Sequence, residues 1–164
     1  MKLLNDFYLL KDNIRHNIME FKKKYNKPKI CAIVKADAYG HGIEGVVNSI
    51  KNIVDFLGVA DSLEAIKVRA VTSKPILVLS MVDIAELEQC ILGNISLSVS
   101  QIKYLRQVEN IAQKLGIKAK IHLKINSGMN RLGFNNKKRF QILSFNDLAL
   151  HYQSFADLDN TCYN

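Results

Sequence analysis

Six short apolar runs recur along this 164-residue chain, at 30–34, 56–60, 76–80, 95–99, 119–125 and from 148 onward. Each of the first five is followed by a stretch with helical periodicity, so strand-like and helix-like segments alternate at roughly 20-residue spacing. That alternation constrains the fold more than any other feature. Strand, covering helix and second strand in one sheet connect as right-handed βα units, which makes the sheet parallel. Two closures satisfy the pattern: an open doubly wound sheet, or a (β/α)8 barrel of TIM type. A complete barrel takes about 200 residues or more, so the barrel reading makes residues 1–164 a single truncated barrel domain of about six strands.

Local signals set the expected element boundaries. Over 6–24, Phe7, Leu10, Ile14, Ile18 and Phe21 form one helical stripe, and Pro28 closes that region. Ile30 to Val34 is continuously apolar, the pattern of a strand buried on both faces. A helix is predicted at about 43–53. Asp61, with Glu64 three residues on, reads as a capping box for a helix running to about 71, and Asp83 with Glu86 repeats the signature. Gly116 stops a predicted helix over 100–115. A last helix is predicted near 136–144 and a sixth strand from Leu148.

Composition mainly excludes. Lys and Arg total 23 against 15 Asp and Glu, a net charge of +8, so nucleic acid has to be weighed. The basic clusters, Lys22, Lys23, Lys24, Lys27 and Lys29, then Lys137, Lys138 and Arg139, have one aromatic neighbour each, Tyr25 and Phe140. Base stacking needs an interleaved aromatic series, so these read as solvated faces and no nucleic-acid partner is expected. Cys31, Cys90 and Cys162 form no CxxC pair, and an odd count fits a reducing compartment. No run reaches the roughly 18 apolar residues of a membrane span. Asn5 and Asp6 break any signal-peptide core, so a cytoplasmic, membrane-free protein is expected.

Three strings could carry chemistry. Gly40-His41-Gly42-Ile43-Glu44-Gly45 matches G-x-G-x-x-G, with Asp61 at the end of the next strand, as in a dinucleotide site. In that fold, however, the strand runs straight into the first glycine, whereas here Lys35-Ala36-Asp37-Ala38-Tyr39 intervenes. Lys35 instead ends an apolar strand, at the edge of the sheet where α/β proteins place ligands. A partly desolvated lysine suits Schiff-base chemistry, and Tyr39 with a glycine-rich turn at a helix start would suit a phosphate. Together they point to pyridoxal 5'-phosphate (PLP). In Ile121-His122-Leu123-Lys124-Ile125, alternation sets His122 and Lys124 on the interior face, where a lysine must be paired, neutralised or modified. Arg131 lies in the following loop, with donors able to hold an anion.

Val34-Lys35-Ala36-Asp37-Ala38-Tyr39-Gly40-His41-Gly42 and His122-Leu123-Lys124-Ile125-Asn126-Ser127-Gly128-Met129-Asn130-Arg131-Leu132-Gly133-Phe134 together resemble the alanine racemases. These are fold-type III PLP enzymes with an N-terminal (β/α)8 barrel. The likeness continues through Leu57-Gly58-Val59-Ala60, Glu64-Ala65 and Pro75-Ile76-Leu77-Val78-Leu79, and loosely to His151-Tyr152 and Ala156-Asp157. It implies that Lys35 is the Schiff-base lysine and the base on one face of Cα, and that Tyr39 contacts the cofactor phosphate. It makes Lys124 a candidate for carbamylation, Arg131 the arginine directed at the cofactor's phenolic oxygen, and His151 a cofactor neighbour. No metal is implied; alanine is the expected substrate, and a second copy of the chain the expected partner in the family dimer. Asn126 stands where the family usually has Asp, which removes a charge near Arg131.

The resemblance also places the second base of racemisation, a Tyr of the partner's C-terminal β-domain, outside this sequence. A fragment lacking that domain is therefore expected, inactive by itself. The alternative is a non-catalytic single-domain PLP-binding barrel.

Overall fold

The computed structural model describes residues 11–25, 28–126 and 128–134. The elements run α1(Lys11–Lys24), β1(Cys31–Ile33), α2(Lys35–Gly40), α3(Ile43–Ile50), β2(Phe56–Val59) and α4(Ser62–Val71). They continue β3(Ile76–Val78), α5(Ile84–Leu92), β4(Ser96–Val99), α6(Ile102–Leu115) and β5(Ile121–Leu123). The strands follow one another in sheet order β1-β2-β3-β4-β5, as successive right-handed βα units require. The pairs β1–β2 and β4–β5 are parallel, with Ala32 beside Leu57 and Ser98 beside His122. The sixth strand and the 136–144 helix expected from the sequence lie outside the described residues. Two compact units divide the chain, 1–77 and 78–164, with β3 at the division.

In the first unit, α3 buries Ile43, Val46, Val47 and Ile50, the i, i+3, i+4, i+7 stripe of a helix on a sheet. Leu57 and Val59 of β2 and Ala65 and Val68 of α4 have no exposed surface. Asp61 caps α4 as expected, its Oδ1 accepting from the Glu64 amide at 2.9 Å. Two expectations fail. Ile33 is 37% exposed, because among the described residues β1 pairs with β2 alone and is not enclosed like the inner strands. Phe21, placed on the buried stripe by periodicity, is 59% exposed and stacks on Tyr25 at 6.2 Å. The half-buried seam of α1 runs through Ile14, Ile18 and Lys22, so the Lys22 stem fills the place the aromatic ring was expected to take.

In the second unit, α6 buries Tyr104, Leu105, Val108 and Ala112, and all of β4 is buried. Gly116 ends α6 in the left-handed region at φ 64°, with the Ile117 amide returning to Ala112 O at 3.1 Å. The Tyr104 hydroxyl accepts from the Val82 amide at 3.0 Å and donates to the Val82 carbonyl at 2.9 Å. Asp83 does not cap α5 through its side chain. The Glu86 amide that such a cap would serve already bonds the Asp83 backbone carbonyl at 3.0 Å.

Candidate active site

Lys35 follows β1 with Val34 between them and begins a turn of the opposite hand. Ala36, Asp37, Ala38 and Tyr39 have φ of 53–57° and ψ of 36–52°, a left-handed turn without a glycine among them. Such a conformation costs about 1–2 kcal/mol per L-residue, so something outside the turn must stabilise it. Two carboxylates do. Glu64 Oε1 accepts from the Asp37 amide at 2.9 Å, and Asp37 Oδ1 accepts from the Ile43 amide at 2.9 Å. The other Glu64 oxygen accepts from the Ala60 amide at 2.9 Å, tying the turn to the end of β2. Charge-assisted bonds of this kind contribute about 1.5–3 kcal/mol each, enough to offset much of the conformational cost. Lys35 is left half-buried and Tyr39 62% exposed, with Ala38 buried beneath them.

The glycine-rich turn does not do what its sequence suggests. The amides of His41, Gly42 and Ile43 bond to Ala38 O, Asp37 O and Asp37 Oδ1 in turn. An anion already occupies the start of α3, and it is the protein's own. This removes the backbone phosphate cradle expected there, and with it the physical basis of the dinucleotide reading. Around Gly40 and Gly42 an added Cβ would meet nothing within 4 Å, so the main chain beside Lys35 is approachable.

In the second unit, Lys124 follows β5 and is half-buried, with Nζ donating to the Leu79 carbonyl at 3.0 Å. The expected pairing of this lysine is thus met by a backbone dipole. The next loop returns as a parallel bridge between Ile125 and Phe134. Asn126 Oδ1 accepts from the amides of Asn130 at 2.9 Å and Gly128 at 3.3 Å, while its Nδ2 donates to Asn130 Oδ1 at 2.9 Å. An Asp could accept the first two bonds but could not donate the third, so Asn126 is matched to Asn130. Gly133 closes the loop where a Cβ would lie 2.4 Å from the Asn126 nitrogen. Arg131 is exposed on this loop. His151 lies outside the described residues.

Lys35 and Tyr39 therefore share one turn of the first unit, and Lys124 and Arg131 share one strand end of the second. Reading the sequence alone misses the roles of Asp37 and Glu64. Glu64 is legible as half of a capping box and as part of the family likeness, and nothing local marks its reach to Asp37. Among the described residues no cluster of His, Cys, Asp and Glu could hold a metal ion, and no helix is long and apolar enough to cross a membrane.

Consecutive strands in sheet order, alternating with helices and with lysines following the first and fifth, are the pattern of a (β/α)-barrel-type domain, a class that places its chemistry at the carboxyl ends of the strands. The family model "Alanine racemase, N-terminal domain" matches residues 10–149, and the chain belongs to that family. The alanine racemase of Francisella tularensis subsp. holarctica is 40% identical over 130 residues, covering 79% of this chain and 36% of the relative. Among solved structures, alanine racemase from Clostridium difficile 630 superposes with a TM-score of 0.78 at 37% identity, covering 87% of this chain and 38% of that one. The biosynthetic alanine racemase of Pseudomonas aeruginosa gives 0.72 at 32% identity, covering 80% and 36%. The chain thus spans little more than a third of the length of these relatives. They give no support to the non-catalytic barrel reading.

Proposed function

We propose that this chain is the lysine-bearing barrel portion of a PLP-dependent alanine racemase, with Lys35 holding the cofactor and serving as the base on one face of the alanine Cα. The observation that carries the reading is the placement of Lys35: a half-buried amine at the carboxyl end of the first strand, aimed by a braced turn of unusual hand. The residues fit the cofactor. Lys35 offers a primary amine, Tyr39 an exposed phenol four residues on, and Gly40 and Gly42 an open approach. The Tyr39 side chain would contact the phosphate, since the amides of His41, Gly42 and Ile43 are already engaged. PLP supplies the electron sink that makes removal of the Cα proton feasible.

Lys124 is the carbamylation site in this reading, and Arg131 the arginine turned toward the cofactor's phenolic oxygen. Carbamylation gives Lys124 an anionic acceptor and leaves Nζ one hydrogen, the one that would remain to donate to the Leu79 carbonyl. His151, outside the described residues, enters this reading only through the resemblance, as a cofactor neighbour. The product, D-alanine, serves peptidoglycan synthesis in the cytoplasm, and the working form is a dimer. Support comes from the family membership and from relatives whose own names are alanine racemase.

The test is chemical. The 164-residue chain is incubated with PLP, reduced with borohydride and mapped by peptide mass. The label is expected on Lys35 and absent in Lys35→Ala; a label on another lysine overturns the assignment.

A further inference from the structure

We infer that Glu64 is a positioning residue for Lys35, acting through the left-handed turn and touching neither cofactor nor substrate; this deepens the proposed function and rests on it. Glu64 sits 27 residues beyond Asp37, in the first turn of α4, and is half-buried. Its two carboxylate oxygens are divided between two elements. Oε2 takes the Ala60 amide at the end of β2, and Oε1 takes the Asp37 amide inside the turn. The Glu64 amide is itself fixed by Asp61, so the carboxylate is presented from a capped, rigid helix start.

The Asp37 amide is where such a brace acts best. Asp37 lies between Lys35 and Tyr39, and its side chain in turn accepts from Ile43 at the start of α3. A chain of two charge-assisted bonds therefore links α4, the turn and α3 in sequence. An ordinary right-handed turn would need no such support. Four L-residues with positive φ do, and removing one carboxylate frees the backbone to relax toward right-handed geometry. Relaxation changes the direction of the Lys35 and Tyr39 side chains relative to one another, since it is set by the dihedrals between them.

Glutamine is the discriminating substitution. It keeps the size of Glu64 but offers one acceptor oxygen, so it satisfies either Ala60 or Asp37 and presents a donor to the other. The experiment measures backbone amide exchange residue by residue in the full chain and in Glu64→Gln and Glu64→Ala. Exchange at Asp37 and Ala38 is expected to rise about tenfold or more in Glu64→Ala, less in Glu64→Gln, and to stay unchanged at Val47 and Leu57. The same variants are expected to show about tenfold weaker PLP retention at Lys35, read as borohydride-fixed label, with the melting temperature little changed. Unchanged exchange at the turn, or an equal rise throughout the first unit, overturns the role of Glu64. PLP fixed at a different lysine in the unsubstituted chain instead overturns the reading of the site, and the exchange result still decides the brace.

Discussion

At the scale of single residues, the informative positions are those where a side chain satisfies two partners at once. Tyr104 is 4% exposed, and its hydroxyl serves both polar groups of Val82. Tyr104→Phe strands a buried amide and carbonyl and is expected to lower stability by about 1–3 kcal/mol in denaturant melts. Burial chiefly pushes the Tyr104 phenol up to about 12 from its usual 10. The neutral form is thus favoured by folding: its contribution is intact below pH 10 and is lost as pH climbs toward 12. Alkaline unfolding should begin earlier in the native chain than its lost increment in Tyr104→Phe would suggest, narrowing the gap between the two above pH 10. Burial likewise raises the Cys31 and Cys90 thiols to about 11. Both should react with iodoacetamide at neutral pH about a hundredfold more slowly than an ordinary thiol, as peptide mapping of timed samples will read. Gly133 and Gly116 share positive φ but differ in surroundings. Gly116→Ala should cost about 1–2 kcal/mol from backbone strain alone. Gly133→Ala, whose methyl has no room beside the Asn126 nitrogen, should exceed that and loosen the Arg131 loop, as exchange at the Asn130 amide would report.

At the scale of elements, two capping signatures identical in spacing have different outcomes. Asp61 bonds the Glu64 amide, while the matching amide after Asp83 is satisfied by backbone. Asp61→Ala is therefore expected to cost about 1 kcal/mol, and Asp83→Ala close to nothing, in paired chemical melts. An equal loss from both would contradict the distinction. The contrast also marks the limit of what could be read without coordinates. The βα alternation, the α6 stop at Gly116 and the strand positions are set by local pattern and were legible. The hand of the Lys35 turn was not. Ala36-Asp37-Ala38-Tyr39 contains no residue that favours positive φ strongly, and its geometry is imposed by Glu64, far along the chain. The same holds for the exposure of Phe21 and Ile33, which depends on neighbours that periodicity does not name. In the site, the lysines could be picked out by their place after apolar strands, but the brace between Asp37 and Glu64 could not.

At the scale of the whole molecule, the proposed chemistry has two faces and the chain carries the lysine for one. The relatives are more than twice as long, and the resemblance assigns the opposing tyrosine to the portion this chain does not match. In deuterated water the 164-residue chain with PLP is expected to exchange the Cα proton of alanine without inverting it. Loss of one placed acid–base group slows inversion by about 10²–10⁴-fold. Exchange and inversion are followed separately by NMR and chiral chromatography, and D-alanine formed at the exchange rate would refute the one-sided site. The left-handed turn has a consequence in time as well. Lys35 is made 29 residues before Glu64, and until α4 begins the turn has nothing to hold its hand. A chain that ends before Glu64 therefore lacks the carboxylate that braces the Asp37 amide. Lys35 therefore acquires its setting only when the second βα unit arrives, so the first βα unit alone does not contain the instructions for the turn at its own strand end.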